Sequence, residues 1–188
     1  ENAPLWLKFL REIVLLSLTG LSLYTTKKEV RYTQNKFTWA PIIEVAVLFL
    51  GIFTTMTPAL AYLKAHAAEL GLNTPWQFYY STGMLSSFLD NTPTAVAFHS
   101  VATGLTAEQM TAFACPIVAG IPEILLKAIS LGAVMFGAMT YIGNGPNFMV
   151  KAIAEHSGVK MPSFFKYIVS YSVPVLIPIF TIIWLVFY

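Results

Sequence analysis

Long stretches without charged residues constrain this chain more than any other feature. Residues 167–188 contain no charged residue, and residues 39–63 contain one, Glu44. About 20 apolar residues in a helix cross the hydrocarbon core of a bilayer, which is about 30 Å thick. Charged residues make up 11% of the 188 residues, against about 25% in soluble domains. The sequence therefore predicts an all-α membrane protein and excludes a soluble enzyme, a nucleic-acid binder and a disordered segment.

The same pattern predicts about four transmembrane helices and one shorter unit between the second and the third. The first helix carries Lys8, Arg11 and Glu12 near its start, so its embedded part begins later. We expect Pro174 and Pro178 to bend the last helix. The predicted spans are 5–25, 39–63, 121–150 and 167–188, with the shorter unit at 75–104.

The shorter unit has two apolar arms, each too short to cross a bilayer. They meet at a polar tip that contains Asp90 and Pro93. Proline removes a backbone donor and blocks the preceding helical turn, so the arms cannot form one continuous helix. We therefore predict a re-entrant helical hairpin that enters and leaves the membrane on the same side.

The third span is predicted to be a broken helix. Gly143, Gly145 and Pro146 interrupt its apolar pattern between two half-helices. Carbonyl groups freed before such a break are potential cation ligands, and amide groups freed after it favour an anion. Non-helical backbone at membrane depth occurs where protein or a water-filled cavity surrounds it, which makes both the break and the hairpin tip candidate sites.

Basic residues predict the orientation. Loops 27–36 and 151–166 contain seven Lys and Arg residues, whereas the loops on the other side contain only Lys64. Positive loops face the cytoplasm, so we expect both basic loops in the cytoplasm of a bacterium, the chain in its inner membrane, and the C-terminus outside.

Two stretches resemble a known family. The sequences SSFLDNTPT at 86–94 and TYIGNGPNFMVK at 140–151 resemble the two signature motifs of the ion-transporter superfamily. Its members include citrate and dicarboxylate carriers, arsenite pumps and NhaD-type sodium/proton antiporters. Residues 37–56 are similar to the adjoining helix of these carriers, and the order of elements resembles their C-terminal half.

This resemblance implies a fold built from two inverted repeats, of which residues 1–188 would be one. The chain begins with Glu1 rather than Met, and we expect it to be part of a longer protein. The implied partners are the lipid bilayer, the N-terminal half of the transporter and a second copy in a homodimer, with no nucleic acid.

The resemblance also implies a sodium site between hairpin tip and break. Sodium is the transported or coupling ion, and no other cofactor is implied. Asp90, Asn91, Thr92 and Asn144 are the implied sodium ligands. The full set of implied ion-binding residues is Asp90, Asn91, Thr92 and Thr94 at the tip and Gly143, Asn144, Gly145 and Asn147 at the break.

Asp90 is the only aspartate of the chain. A charged residue at bilayer depth costs about 2.5–3.5 kcal/mol on the translocon scale, which favours a functional carboxylate that holds sodium or a proton. The alternative is an N-cap that accepts backbone amides. Dicarboxylate carriers typically have Ser-Asn-Thr at the tip, so the acid at Asp90 favours cation or proton exchange over a substrate with several carboxylates.

Three other polar features carry predictions of their own. Glu44 is a second possible proton site, or it pairs with Lys36 or extends to the interface. Glu123 and Lys127 have the spacing of a helical ion pair. His99 is predicted to pack through a hydrogen bond rather than to relay protons.

The sequence thus predicts a secondary active transporter that works by alternating access. Sodium/proton antiport is the first hypothesis, with sodium-coupled symport of citrate or another organic anion as its alternative. A non-transporting membrane subunit is the alternative from another class. An enzyme is not predicted, because the chain has neither an HExxH sequence nor a glycine loop that would cradle phosphate.

Overall fold

The computed structural model describes residues 9–188, apart from the side chains of residues 40, 41, 44 and 148. The prediction for the Glu44 carboxylate and the start of span 5–25 therefore lie outside the described residues. The chain divides into two compact units, Glu1–Leu50 and Gly51–Tyr188. That residues 1–188 form one repeat of a larger transporter stays a prediction.

The described part of the first unit begins with helix α1, Leu10–Thr25. None of its residues is buried, and Leu16 is 72% exposed, which suits a surface that faces lipid. The basic loop that follows contains a π-helical turn, Glu29–Gln34. Its Arg31 guanidinium donates to the carbonyl oxygens of Ser22 and Leu23 in the last turn of α1.

Two described helical segments are long and apolar enough to cross a membrane, Val45–Ala65 and Phe164–Phe187. The first belongs to α2, Ala40–Ala65, close to the predicted span 39–63. The second begins three residues before the predicted span 167–188 and ends one residue before its end. Span 5–25 does not pass the same test within the described residues, where α1 has 16 residues. Span 121–150 is divided into shorter helices.

The predicted hairpin consists of α3, Pro75–Ser86, and α4, Asn91–Thr103, joined by a turn at 87–90. Helix α3 begins where Thr74 and Gln77 form a capping box, with Pro75 in its first turn. Because Pro93 lies in the first turn of α4, it leaves the helical hydrogen bonds of that helix intact. The re-entrant placement of the pair in a membrane stays a prediction.

Short elements connect the helices around the hairpin. A 3₁₀ turn, Ala67–Leu70, follows α2, and α5, Ala107–Thr111, follows α4. Strands β1, Ile117–Val118, and β2, Ile121–Pro122, then pair antiparallel. The third predicted span starts at 121, but the helix starts two residues later because the chain pairs as strand there.

The broken helix begins with α6, Glu123–Phe136, and a 3₁₀ turn, Gly137–Met139. A non-helical segment at 140–144 follows, and the helix resumes as α7, Gly145–His156. The predicted interruption begins at Gly143. In the structure the α-helix already gives way to the 3₁₀ turn at Gly137, six residues earlier. Helix α7 also extends beyond 150, so Lys151 is helical and forms an ion pair with Glu155 at 2.7 Å.

The last segment changes its helical form along its length. Helix α8, Phe164–Tyr167, leads into a π-helix, Ile168–Leu176, and then into α9, Ile177–Phe187. Pro174 lies within the π-helix and Pro178 in the first turn of α9, and neither has an amide hydrogen to donate. The two prolines thus coincide with a change of helical register.

The core lies where α3, α6 and α9 meet. Tyr79, Phe136 and Phe180 are buried there, and the ring centroids of Phe136 and Phe180 are 4.6 Å apart. The Tyr79 hydroxyl donates to the Phe180 carbonyl oxygen at 3.0 Å. A Cβ atom at Gly132 would lie 2.5 Å from the Tyr79 carbonyl oxygen. Glycine at this position therefore permits the close approach of α3 and α6, which places the hairpin tip beside the break.

Candidate functional site

The hairpin tip contacts the break through the Thr140 hydroxyl, which is buried. This hydroxyl donates to the Ser87 carbonyl oxygen at 2.5 Å. It also accepts from the amides of Ile142 at 3.2 Å and Gly143 at 3.0 Å. One side chain therefore fixes the course of the break and attaches it to the tip.

The side-chain amide of Asn91 connects the tip to both halves of the broken helix. One of its terminal atoms lies 2.9 Å from Ser86 Oγ, 2.9 Å from the Ala133 carbonyl oxygen and 3.3 Å from the Gly143 carbonyl oxygen. With the NH₂ group in this position, all three oxygens accept from it. With the amide oxygen there, several oxygens face one another, and a cation between them would stabilise that arrangement.

Two glycines make this close packing possible. A Cβ atom at Gly143 would lie 2.7 Å from the carbonyl oxygens of Gly137 and Ser87 and 3.0 Å from that of Ser86. A Cβ atom at Gly137 would lie 2.5 Å from Asn91 Oδ1. We call the whole group the junction: Ser86, Ser87, Asn91, Ala133, Gly137, Thr140 and Gly143.

Asp90 lies beside the junction and faces a different element. It is half-buried and lines an apolar cavity of about 290 Å³ between α2 and the hairpin, with Ile52, Met56 and Pro93 among the other lining residues. None of the described residues that line this cavity belongs to the break. Asp90 is the N-cap residue of α4, but its side chain makes no capping hydrogen bond. The capping alternative is therefore wrong for the carboxylate.

The other predicted tip residues lie outside the junction. Thr94 is buried, and its hydroxyl donates to the Asp90 carbonyl oxygen at 3.0 Å. This bond closes the first turn of α4. Thr92 is exposed. Of the four tip residues that the resemblance implied as ligands, only Asn91 reaches the break.

The predicted break residues have separate surroundings. Gly143 belongs to the junction, whereas a Cβ atom at Gly145 would have no neighbour within 4 Å. Asn144 is the N-cap residue of α7 without a side-chain capping bond. Asn147 donates from Nδ2 to the carbonyl oxygens of Gly137 at 2.7 Å and Thr140 at 3.1 Å. Asn147 thus donates to carbonyl groups freed by the break. The sequence had predicted that these carbonyl groups are open to a cation.

Five junction residues were not among the predicted site residues; Ala133 and Gly137 lie outside the two motifs, and the other three lie within them. Ser86, Ser87 and Thr140 are buried hydroxyl-bearing residues. The Ser86 hydroxyl donates to the Ala133 carbonyl oxygen at 2.6 Å, and that of Ser87 to the Gly83 carbonyl oxygen at 3.0 Å. Their position in the sequence was a signal for this role: Ser86 and Ser87 lie just before the tip, and Thr140 lies just before the predicted break.

Two predictions outside the junction agree with the structure. Lys127 and Glu123 form the predicted ion pair at 2.7 Å, with both side chains partly exposed. The Nε2 atom of His99 lies 3.0 Å from the Ala119 carbonyl oxygen, as expected for a histidine that packs through a hydrogen bond.

The junction offers neutral oxygens. No cluster of three or more His, Cys, Asp or Glu side chains is found in the part of the chain that the structure describes. A broken helix whose freed backbone groups meet a second polar segment is typical of secondary transporters. Fold and site together therefore indicate a transport protein.

Comparison with known families agrees with this class. The chain belongs to the family described as "Putative citrate transport", which it matches over residues 3–188. The match supports a transporter but gives no support to the NhaD-type assignment. No curated protein and no solved structure matches the chain.

Proposed function

We propose that the protein is a sodium-coupled carrier of citrate or a chemically similar organic anion. The family match supports the citrate class. The single observation on which the sodium site rests is the Asn91 amide, one terminal atom of which faces Ser86 Oγ and the carbonyl oxygens of Ala133 and Gly143. In the empty site the NH₂ group of Asn91 lies among these oxygens. When the amide turns and presents its oxygen instead, a cation can bind there.

Neutral oxygens favour sodium as the coupling ion. Carbonyl and hydroxyl oxygens are ligands for hard cations, and they do not need to lose a proton before the cation binds. Asp90 lines the cavity on the α2 side, away from the break. Competition between sodium and a proton for one carboxylate is therefore not part of the proposed junction chemistry.

The helix ends near the junction suit an anion beside the cation. Helices α4 and α7 begin at Asn91 and Gly145, next to the tip and the break. Their N-terminal amides carry partial positive charge, and bound sodium would add to it. Sodium in the junction would thus strengthen binding of a carboxylate substrate, which couples the two solutes.

Sodium/proton exchange is the second candidate, because of Asp90. The residue is half-buried beside an apolar cavity, and its carboxylate makes no capping bond. A carboxylate in such surroundings is a candidate proton carrier. Exchange would then pass through the α2 side of the hairpin rather than through the junction.

Uptake by proteoliposomes that contain the complete protein tests the first proposal. We expect labelled citrate to accumulate under an inward sodium gradient and to stop when a sodium ionophore dissipates the gradient. An equal potassium gradient at matched membrane potential is the control. Citrate uptake that is indifferent to sodium would contradict the proposal.

Asp90→Asn separates the two candidates. Because Asp90 lies outside the junction, we expect the variant to keep sodium-driven citrate uptake within about twofold of the wild type, the usual range for a site without structural contacts. A variant that loses citrate uptake would contradict this expectation, and a sodium-triggered proton flux of the wild type that disappears in the variant would favour exchange at Asp90.

A further inference from the structure

The carbonyl groups at the end of the first half-helix are each bound by a side-chain donor. Asn147 Nδ2 donates to Gly137 and Thr140, as described above. The Tyr167 hydroxyl donates to the Ala138 carbonyl oxygen at 3.2 Å, and the Ser172 hydroxyl to that of Met139 at 2.7 Å. Two of these donors come from the last segment of the chain.

The π-helix explains how two residues of the last segment reach neighbouring carbonyl groups. Tyr167 directly precedes the π-helix, and Ser172 lies five positions later, within it. In a π-helix the hydrogen bonds join residues five apart, which places such residues one turn from each other on the same face. Residues five apart in an α-helix do not share a face. The π-helical register therefore aims both hydroxyls at the break.

Ser172 is well placed to transmit this contact to the junction. Its side chain is buried, and its acceptor, Met139, directly precedes Thr140. The Thr140 hydroxyl in turn bonds the Gly143 amide and the Ser87 carbonyl oxygen. Fixing the Met139 carbonyl group therefore restricts Thr140, and with it the position of the Gly143 carbonyl oxygen.

We propose that Tyr167 and Ser172 are positioning residues that hold the break in its ion-binding geometry, an inference that rests on the proposed function. We call this pair the clamp. Neither hydroxyl touches the ion in this proposal. The clamp acts by pre-organising junction oxygens, which lowers the ordering cost when sodium binds.

Single hydroxyl deletions test the clamp in the complete protein. We expect Ser172→Ala and Tyr167→Phe each to raise the sodium concentration for half-maximal citrate uptake by about three- to tenfold, the factor that one net hydrogen bond represents. The maximal rate at saturating sodium should change less, because the ligands themselves remain. Sodium-dependent thermal stabilisation of the purified protein gives a second measure of the same affinity.

Matched controls lie on the same segment. Ser170→Ala removes an exposed hydroxyl near Ser172, and Tyr171→Phe removes the hydroxyl of a ring that stacks on Tyr167 at 6.1 Å. Both controls should keep the wild-type sodium dependence. A merely structural contact would lower the thermal midpoint and leave the half-saturating sodium concentration unchanged.

The outcomes separate the clamp from the proposed function. A raised half-saturating concentration in both clamp variants but not in the controls supports the clamp. Wild-type sodium dependence in both folded clamp variants overturns the clamp and leaves the proposed function standing. A wild type without any sodium response overturns both. If Ser172→Ala fails to fold, Tyr167→Phe, whose hydroxyl is at a more exposed contact, decides the question.

Discussion

Replacement of Gly143 by alanine is expected to abolish sodium-driven citrate uptake. The added Cβ atom would lie 2.7 Å from two carbonyl oxygens and 3.0 Å from a third, so tip and break would have to separate. Backbone oxygens cannot move aside as a flexible side chain can, and overpacking of this kind costs about 1–3 kcal/mol or more. Because the same oxygens belong to the junction, the separation removes the site as well.

Gly145→Ala is the matched control for this variant. It makes the same change two residues later, at the first residue of α7, where the added atom meets nothing within 4 Å. Thermal unfolding of both purified variants should show a lower midpoint for Gly143→Ala and a wild-type midpoint for Gly145→Ala. Normal uptake by Gly143→Ala would mean that the tip does not rest on the break during transport.

Removal of the Asn91 amide is expected to weaken sodium binding by about tenfold or more. Asn91→Ala deletes the group that faces Ser86 Oγ and the carbonyl oxygens of Ala133 and Gly143. In the sodium-bound site the turned amide offers its oxygen to the cation, and the loss of one such contact with a charged group costs about 1.5–3 kcal/mol, which corresponds to about tenfold or more. The measurement is the sodium concentration that gives half-maximal citrate uptake.

Two further substitutions sharpen this test. Asn73→Ala removes an exposed amide that bonds Gln109 at 3.0 Å, outside the junction, and should leave sodium dependence unchanged. Asn91→Asp keeps an oxygen for the cation but cannot donate to the junction oxygens of the empty site. The aspartate variant should therefore be less stable than the wild type without sodium and recover stability with it. An equal loss of stability with and without sodium would contradict the proposal that the amide donates in the empty site and offers its oxygen to bound sodium.

The hairpin and the break were predictable because proline and glycine mark them locally. Pro93 prevents continuity between the two arms, and Pro146 begins the second half-helix as expected. The start of the break was less predictable. The α-helix already changes to a 3₁₀ turn at Gly137. Asn147 and the hydroxyls of the last segment bind the carbonyl groups of this turn, and sequence spacing does not reveal such contacts.

The direction of each tip residue could not be predicted from the motif. Asp90 and Asn91 are consecutive, and consecutive residues at the start of a helix point to different sides. As a result Asp90 lines the cavity beside α2, whereas Asn91 lies in the junction. The charge of Asp90 predicted a site at the tip, but its uncharged neighbour Asn91 makes the contacts with the break.

The π-helix and the donor role of Asn147 depend on tertiary structure. Pro174 indicates a disturbance of the last helix, yet the same proline could have produced a simple kink. The register that aims Ser172 at the break is visible only once the Met139 carbonyl group is in place. Similarly, Asn147 could have offered either its oxygen or its nitrogen to the break, and its neighbours there are carbonyl oxygens.

The most direct test of sodium-coupled citrate transport reverses the driving force. Proteoliposomes that hold the complete protein are given equal sodium on both sides, with a trace of radioactive sodium outside, and an inward citrate gradient is imposed. If the two solutes move together, citrate entry should concentrate labelled sodium inside the vesicles, and Asn91→Ala should reduce that accumulation. Citrate entry without sodium accumulation, or sodium movement that follows a proton gradient in the absence of citrate, would contradict the account.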